Sequence, residues 1–137
     1  MKVVLPSHPR YLCIVRAMVR ELGDVGGLPD EECSAVMLAV DEALANVMRH
    51  AYKGSHDHQI EFNCDISIDR IEFRLLDRGE APDADRICGQ PLDEFSLSGR
   101  GTHMIREIMD EVRYEQVDGR NQIKMIKKLP PPKVESA

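Results

Sequence analysis

The stretch "VDEALANVMRHAYKG" (residues 40–54) indicates the second half of an amphipathic helix that ends at Gly54. Glu42 and Asn46 lie four residues apart, so they share one helical face. An apolar stripe at helical spacing runs beside them and consists of Val36, Met37, Val40, Ala43, Leu44 and Val47. The polar pair fits a solvated helix edge, but Asn46 also supplies the oxygen donor that Mg²⁺ takes together with phosphate oxygens. On these residues alone, both interpretations stay open.

Bulk properties narrow the class of protein. The chain has 137 residues, 42% of them apolar, which fits one globular domain with a substantial core. No apolar run approaches the roughly 18 to 20 residues that span a membrane, and "MKVVLPSHPR" turns polar too early for a signal peptide. The four cysteines are too widely spaced for a zinc or redox motif. A net charge of −6 argues against direct nucleic-acid binding. Because the sequence also lacks a signal peptide and a membrane-spanning run, we expect a cytoplasmic protein that does not bind the membrane.

Periodicity along the chain predicts five strands and three helices. In chain order the predicted elements are a strand at about 2–6, helices at 9–22 and 30–52, strands at 59–68 and 71–77, a loop at 78–98, a helix at 101–111 and strands at 111–117 and 121–129. This order predicts an α+β fold: a two-layer α/β sandwich with a mixed, mostly antiparallel sheet and helices on one face. We expect one domain over residues 1–129 and a disordered tail over 130–137.

Two further motifs permit a structural and a functional interpretation. In "LLDRGE", Asp77 ends an apolar strand and Gly79 follows; the carboxylate either caps a turn or accepts a hydrogen bond from an exocyclic amine. In "GRGTHM", Gly99 and Gly101 open the third predicted helix, where they either form a turn or let a phosphate approach free backbone N–H groups. The loop between the two motifs has about twenty residues, a length that is usually functional in a compact domain.

The order of these motifs resembles the GHKL (histidine-kinase-like) ATPase superfamily. E-x-x-x-N on a helix, D-x-G after a strand, a lid-like loop and G-x-G at a helix correspond to its N, G1 and G2 boxes. The details "NVMRHAY", "GRGTHMIREIMDEVRYE" and the closing "KKL" resemble the anti-sigma-factor serine/threonine protein kinases of bacterial partner-switching systems. The resemblance covers roughly residues 2–129 in colinear order and implies the Bergerat ATP-binding fold.

The resemblance implies a role for each matching residue. Glu42 would be the catalytic base, Asn46 would hold Mg²⁺, and Asp77 would bind the adenine amine beside Gly79. The residues implied to cradle the phosphates are Gly99, Arg100, Gly101 and Thr102, with 80–98 as the ATP lid. Several relatives have a threonine near adenine in the last strand, and here Lys124 is expected at that position.

The resemblance also implies cofactors and partners. These are ATP/ADP and Mg²⁺, a STAS-domain anti-anti-sigma protein whose serine is phosphorylated, a sigma factor that the kinase sequesters, and a homodimer. An alternative stays open, in which the chain is a non-catalytic module that uses nucleotide only to shape a partner-binding surface. The retained pair Glu42 and Asn46 favours the kinase, because a pure binder has no use for a base.

Overall fold

In the part of the chain that the structure describes, five strands form one sheet in which every pairing is antiparallel, in the spatial order β1-β2-β3-β5-β4. The strands are β1 (Lys2–Pro6), β2 (Gln59–Ile66), β3 (Arg70–Asp77), β4 (Glu111–Val117) and β5 (Arg120–Lys128). The computed structural model describes the backbone of residues 1–80 and 97–131 and the side chains of 1–80 and 103–131. Most of the predicted lid, 81–96, and most of the predicted tail, 132–137, lie outside the described residues.

Alternation along the strands gives the sheet an apolar face toward the helices and a mostly charged outer face, although Leu76 and Ile126 on the outer face are also buried. Residues on the inner face are buried almost completely and face the helices: Ile60, Phe62, Cys64, Ile71, Phe73, Leu75, Ile123 and Met125. The Phe62 and Phe73 rings stack across β2 and β3 with centroids 6.1 Å apart. The antiparallel two-layer prediction is therefore confirmed, and the only difference is that no parallel pair occurs among the described strands.

Among the described residues, three helices cover the inner face: α1 (Leu12–Gly26), α2 (Asp30–Asn46) and α3 (Leu97–Ile108). A short 3₁₀ turn, Pro9–Tyr11, precedes α1. Helix α1 runs one turn past the predicted end at Leu22, because Gly23 packs against Cys33 and the left-handed Gly27 (φ 78°) ends the helix. A Cβ on Gly23 would lie 2.5 Å from the Cys33 sulfur. The glycine-rich stretch predicted to break the helix thus belongs partly to it.

Helix α3 is shifted toward the N-terminus relative to the predicted range 101–111. It begins at Leu97, so Gly99 and Gly101 lie inside its first two turns and do not precede it. It ends at Ile108 because the backbone N–H of Asp110 already donates to the Ile126 carbonyl, which starts the ladder between β4 and β5. The ammonium of Lys127 donates to the Ile108 carbonyl at 3.1 Å and closes this end of the helix.

Candidate functional site

Glu42 and Asn46 lie on the last turns of α2, and the side chain of Arg49 joins them. Arg49 Nη2 donates to Asn46 Oδ1 at 2.8 Å and to Glu42 Oε1 at 3.0 Å. The Arg49 side chain is 54% exposed and that of Glu42 is 26% exposed, so the cluster is open to solvent. The structure therefore brings the predicted base and the predicted metal ligand together on one surface, with a guanidinium between them.

The helix does not continue as an α-helix beyond Asn46. Residues Val47–Ala51 form a π-helical turn, which is closed by a bond from the Tyr52 N–H to the Val47 carbonyl at 3.1 Å. The predicted helix end near Tyr52 is thus right, but the last turn, Val47–Ala51, is a π-helix with more residues per turn than an α-helix. Single π turns often occur at functional sites. Here the turn leaves the Ala51 carbonyl at the helix end, where it accepts the Glu80 N–H at 2.8 Å.

Asp77 is the last residue of β3 and is buried, with 6% of its surface exposed. Its Oδ1 accepts the Gly79 N–H at 2.9 Å and the Asn121 Nδ2–H at 2.9 Å. Burial raises the pKa of the Asp77 carboxyl, while the hydrogen bonds from Asn121 and Gly79 oppose that shift. A buried carboxylate with an oxygen to spare can accept a hydrogen bond from a ligand.

Gly79 allows the turn after β3 to contact the end of the α2 segment. A Cβ at this position would lie 2.4 Å from the Ala51 carbonyl oxygen, so only glycine fits. The buried Tyr52 hydroxyl adds a second link, since it accepts the Arg78 N–H at 2.9 Å and donates to the Gln59 carbonyl at 2.7 Å. The motif containing Asp77 and the motif containing Asn46 are therefore held against each other through Ala51 and Tyr52.

Backbone alone is described for the third motif, Gly99 to Thr102. Because α3 begins at Leu97, the N–H groups of residues 97–99 have no intrahelical acceptor. These include Gly99, whereas the N–H groups of Arg100 and Gly101 fall within the regular helix. Helix α3 packs on α2, so the helix with these free N–H groups neighbours the helix that carries Glu42 and Asn46.

Three residues of the site were not found from the sequence: Arg49, Tyr52 and Asn121. The signal for Arg49 was its spacing, since it lies three residues after Asn46 on the same helix face. Asn121 gave no local signal, because only the register of β3 and β5 places it opposite Asp77. The expectation that Lys124 lies near adenine is wrong: Lys124 pairs with Arg74, on the face of the sheet away from the helices.

Other features of the described residues do not belong to this site. The histidines around Asp57 form an exposed turn in which His58 stacks on Tyr52, and no three His, Cys, Asp or Glu side chains of the described residues converge as metal ligands. A cavity of about 450 Å³ lies beside Asp69 and Lys128. It is roughly 23 Å from Asp77 at the usual rise per strand residue. No helix in the described part of the chain is long and apolar enough to span a bilayer.

The chain is similar in sequence to bacterial proteins named as serine-protein kinases. It is 27% identical over 123 residues to the serine-protein kinase RsbW of Bacillus subtilis, covering 84% of this chain and 77% of that protein. It is 28% identical over 132 residues to the serine-protein kinase RsbW of Bacillus licheniformis, covering 90% of this chain and 82% of the relative.

Two solved structures share the fold at 17% sequence identity. The crystal structure of the RsbU and RsbW domains of Rv1364c from Mycobacterium tuberculosis matches with a TM-score of 0.66 over 96% of this chain, which spans only 32% of that structure. The histidine kinase domain of the Erythrobacter litoralis EL346 blue-light activated histidine kinase matches with a TM-score of 0.60, covering 90% of this chain and 61% of that one. The sequence model of the family described as the histidine kinase-like ATPase domain matches residues 5–127 of this chain. The chain therefore belongs to the histidine kinase-like ATPase domain family.

Proposed function

We propose that the protein is an ATP-dependent serine/threonine protein kinase and a partner-switching regulator. It phosphorylates a serine of a STAS-domain anti-anti-sigma protein and sequesters a sigma factor. The observation that carries this is the junction at Ala51, where the helix bearing Glu42 and Asn46 meets the turn bearing the buried Asp77. Similarity to serine-protein kinases over most of the chain supports the same reaction. A cytoplasmic location and a homodimeric assembly stay predictions.

Nucleotide binding divides among three elements in this proposal. Asp77 at the end of β3 accepts the adenine amine, with Gly79 beside the base. Asn46 offers Oδ1 as the protein ligand of Mg²⁺, and a half-buried carboxamide oxygen fits an ion that keeps most of its shell as water and phosphate. The start of α3, where the free N–H of Gly99 lies, receives the phosphates, and the resemblance to the GHKL ATPases assigns this contact to Gly99, Arg100, Gly101 and Thr102.

Glu42 then acts on the acceptor protein. Its carboxylate takes the proton of the acceptor serine hydroxyl while that oxygen bonds to the terminal phosphorus of ATP. The bond from that phosphorus to the bridging oxygen breaks, and ADP leaves with the bonding electron pair. The metal ion, when bound, neutralises charge on the phosphates. Asn46 and Glu42 are one helical turn apart, which keeps the phosphate site and the base on the same surface.

One observation favours the alternative of a non-catalytic binding module. Arg49 Nη2 donates to Glu42 Oε1 at 3.0 Å, so the guanidinium occupies an oxygen that the proposed base would need for the serine hydroxyl. In that alternative the same nucleotide site sets the shape of a partner-binding surface without phosphotransfer. The two functions differ in one measurable quantity, which is transfer of the terminal phosphate to protein.

The test is phosphotransfer from labelled ATP with Mg²⁺ to a purified STAS-domain protein. We expect label on a serine, and we expect Glu42→Gln to lower the rate by about 10²–10⁴ with nucleotide affinity nearly unchanged. Asp41→Asn is the matched control: Asp41 is adjacent on α2 and pairs with Arg16, away from Glu42. Nucleotide binding without any transfer would support the binding module, and a wild-type rate for Glu42→Gln would remove Glu42 as the base.

A further inference from the structure

Asn121 is a buried carboxamide at the start of β5, directly opposite Asp77 in the sheet register. It is 8% exposed, so more than nine-tenths of the residue is removed from solvent. A buried amide without partners costs free energy, and such groups therefore occur where their hydrogen bonds are satisfied. The amide nitrogen of Asn121 meets that requirement with groups of the candidate adenine site, Asp77 and Gly79.

The orientation of the Asn121 amide follows from its partners. Nδ2 donates to Asp77 Oδ1 at 2.9 Å and to the Gly79 carbonyl at 3.0 Å. Both partners are acceptors, so the nitrogen must face them and the oxygen must face away. Oδ1 of Asn121 accepts a hydrogen bond from Gln116 Nε2 at 3.2 Å, which agrees with this orientation.

These bonds give the two carboxylate oxygens of Asp77 different roles, because only Oδ1 is engaged by Asn121 and Gly79. Oδ1 accepts from Asn121 and from the Gly79 N–H, and within the described residues no hydrogen bond reaches Oδ2. Since Asn121 binds both Asp77 and the Gly79 carbonyl, it spans the turn and opposes rotation of the carboxylate. Oδ2 is thereby kept as a hydrogen-bond acceptor in a fixed direction.

We propose that Asn121 is a positioning residue that determines base specificity: it holds Asp77 so that Oδ2 accepts from an exocyclic amino group, which selects 6-aminopurine nucleotides. A 6-oxopurine would present an acceptor oxygen to an acceptor, leaving a buried polar mismatch. This inference rests on the proposed function, because it specifies how the nucleotide site of that function chooses its base. It assigns the specificity to a residue that does not itself contact the amino group.

The experiment compares two nucleotides that differ only at that group, ATP and purine riboside triphosphate, by calorimetric titration with Mg²⁺. Asn121→Leu should weaken ATP binding by about tenfold and purine riboside triphosphate by less than about twofold. Asn121→Thr keeps one hydroxyl donor for Asp77 Oδ1 but cannot also reach Gly79, so it should recover part of the preference. Gln122→Leu is the matched control, since Gln122 is the next residue and its side chain donates to the exposed Glu115.

An equal loss for both nucleotides in Asn121→Leu, with a lowered melting temperature, would reduce Asn121 to a structural role and overturn the inference. If Asn121→Leu does not fold, Asn121→Thr decides: an unchanged ratio of the two affinities contradicts the inference, and a reduced ratio supports it. A wild-type chain that binds neither nucleotide contradicts the proposed function itself. A preference for ATP that survives in Asn121→Leu contradicts only the role given to Asn121.

Discussion

At the scale of single residues, the site depends on side chains that each bind two other residues of the site. Arg49 binds Glu42 and Asn46, and Asn121 binds Asp77 and Gly79. A side chain with two partners couples their positions, so a change at one residue alters two others. The roles assigned to Glu42, Asn46 and Asp77 stay predictions, and each can be tested separately.

Arg49 is expected to compete with Mg²⁺ for Asn46. A guanidinium and a divalent cation at the same oxygen, Oδ1, repel each other, so we expect Mg²⁺ binding to displace Arg49. Arg49→Ala should therefore lower the Mg²⁺ concentration that half-saturates ADP binding by up to about fivefold, the equivalent of an exposed pair worth about 1 kcal/mol.

The measurement is ADP binding titrated with Mg²⁺ at constant ionic strength. Arg16→Ala is the control, because Arg16 forms a similar exposed pair with Asp41 on the same helix. A higher Mg²⁺ requirement in Arg49→Ala would mean that Arg49 supports nucleotide binding and does not compete with the metal.

Asp77→Asn should separate stability from nucleotide binding. Because the pKa of Asp77 is raised above its usual range, its contribution to the free energy of unfolding is fully present at low pH and is lost as pH rises through that pKa. The variant has no such loss, so its melting temperature should equal or exceed that of the wild type at pH 7 to 8. Its amide would face the adenine amine donor to donor, which should weaken ATP by about tenfold.

Thermal unfolding from pH 4 to 8 and ATP titration at pH 7.5 check both parts of the prediction. Asp41→Asn serves as the control for loss of a carboxylate at the surface. A variant that melts lower at neutral pH and binds ATP normally would contradict the role given to Asp77.

At the scale of elements, the site exists because the end of α2 and the end of β3 touch. The π turn at Val47–Ala51 directs the Ala51 carbonyl toward Glu80, and Gly79 leaves room for that carbonyl. The Tyr52 hydroxyl adds a bond from the Arg78 N–H after β3 and a bond to the Gln59 carbonyl of β2. The backbone approaches so closely at this contact that Gly79 has no room for a side chain.

Gly79→Ala should disturb this junction. The new methyl group would lie 2.4 Å from a carbonyl oxygen, which the backbone must relieve by moving. Overpacking of this kind costs about 1–3 kcal/mol, and the shift of the adjacent Asp77 should also weaken ATP. Urea unfolding and ATP titration measure the two effects.

Gly27→Ala is the comparison for the junction, since Gly27 has a positive φ of 78° but no atom within 4 Å of its Cβ position. It should lose stability and keep its affinity for ATP. If Gly79→Ala also retains full affinity, the junction does not position Asp77.

At the scale of the whole molecule, the two faces of the sheet serve different purposes. The inner face forms one apolar core with the three helices. The outer face carries a network of charges in which Glu61 accepts hydrogen bonds from Asn63 and Arg120 and pairs with Lys2. The hydrogen bond from Asn63, followed by those cations, lowers the pKa of the Glu61 carboxyl.

Glu61 should therefore contribute to stability at neutral pH and lose that contribution in acid. Its contribution is present above its unfolded value of 4.5 and is lost as pH falls through the lowered folded value. Glu61→Gln should be less stable than the wild type at pH 7 by at most about 1 kcal/mol, and equal to it at pH 2. Urea unfolding at both pH values tests this, and high salt should reduce the difference at pH 7. A difference that persists at pH 2 would point to lost packing, not to charge.

Local patterns in the sequence were sufficient to predict the helices and strands, their order along the chain and the family. Alternation placed β4 at residues 111–117, as the structure has it, because the period of side chains along a strand is a local property. The similarity to the histidine kinase-like ATPase domain family is confirmed. Helix boundaries were less certain: α1 passes through Gly23 because Cys33, ten residues away, packs against it.

Only the tertiary structure decided which side chains meet. Asn121 and Asp77 are 44 residues apart, and their contact depends on the register of β3 and β5, which no local pattern specifies. Lys124 was expected near adenine, and the same register places it on the opposite face of the sheet. The sequence alone determined which residues could do chemistry, because residue type and spacing are local. Their partners were decided by pairing across the fold, because burial and hydrogen bonding there depend on residues distant in the chain.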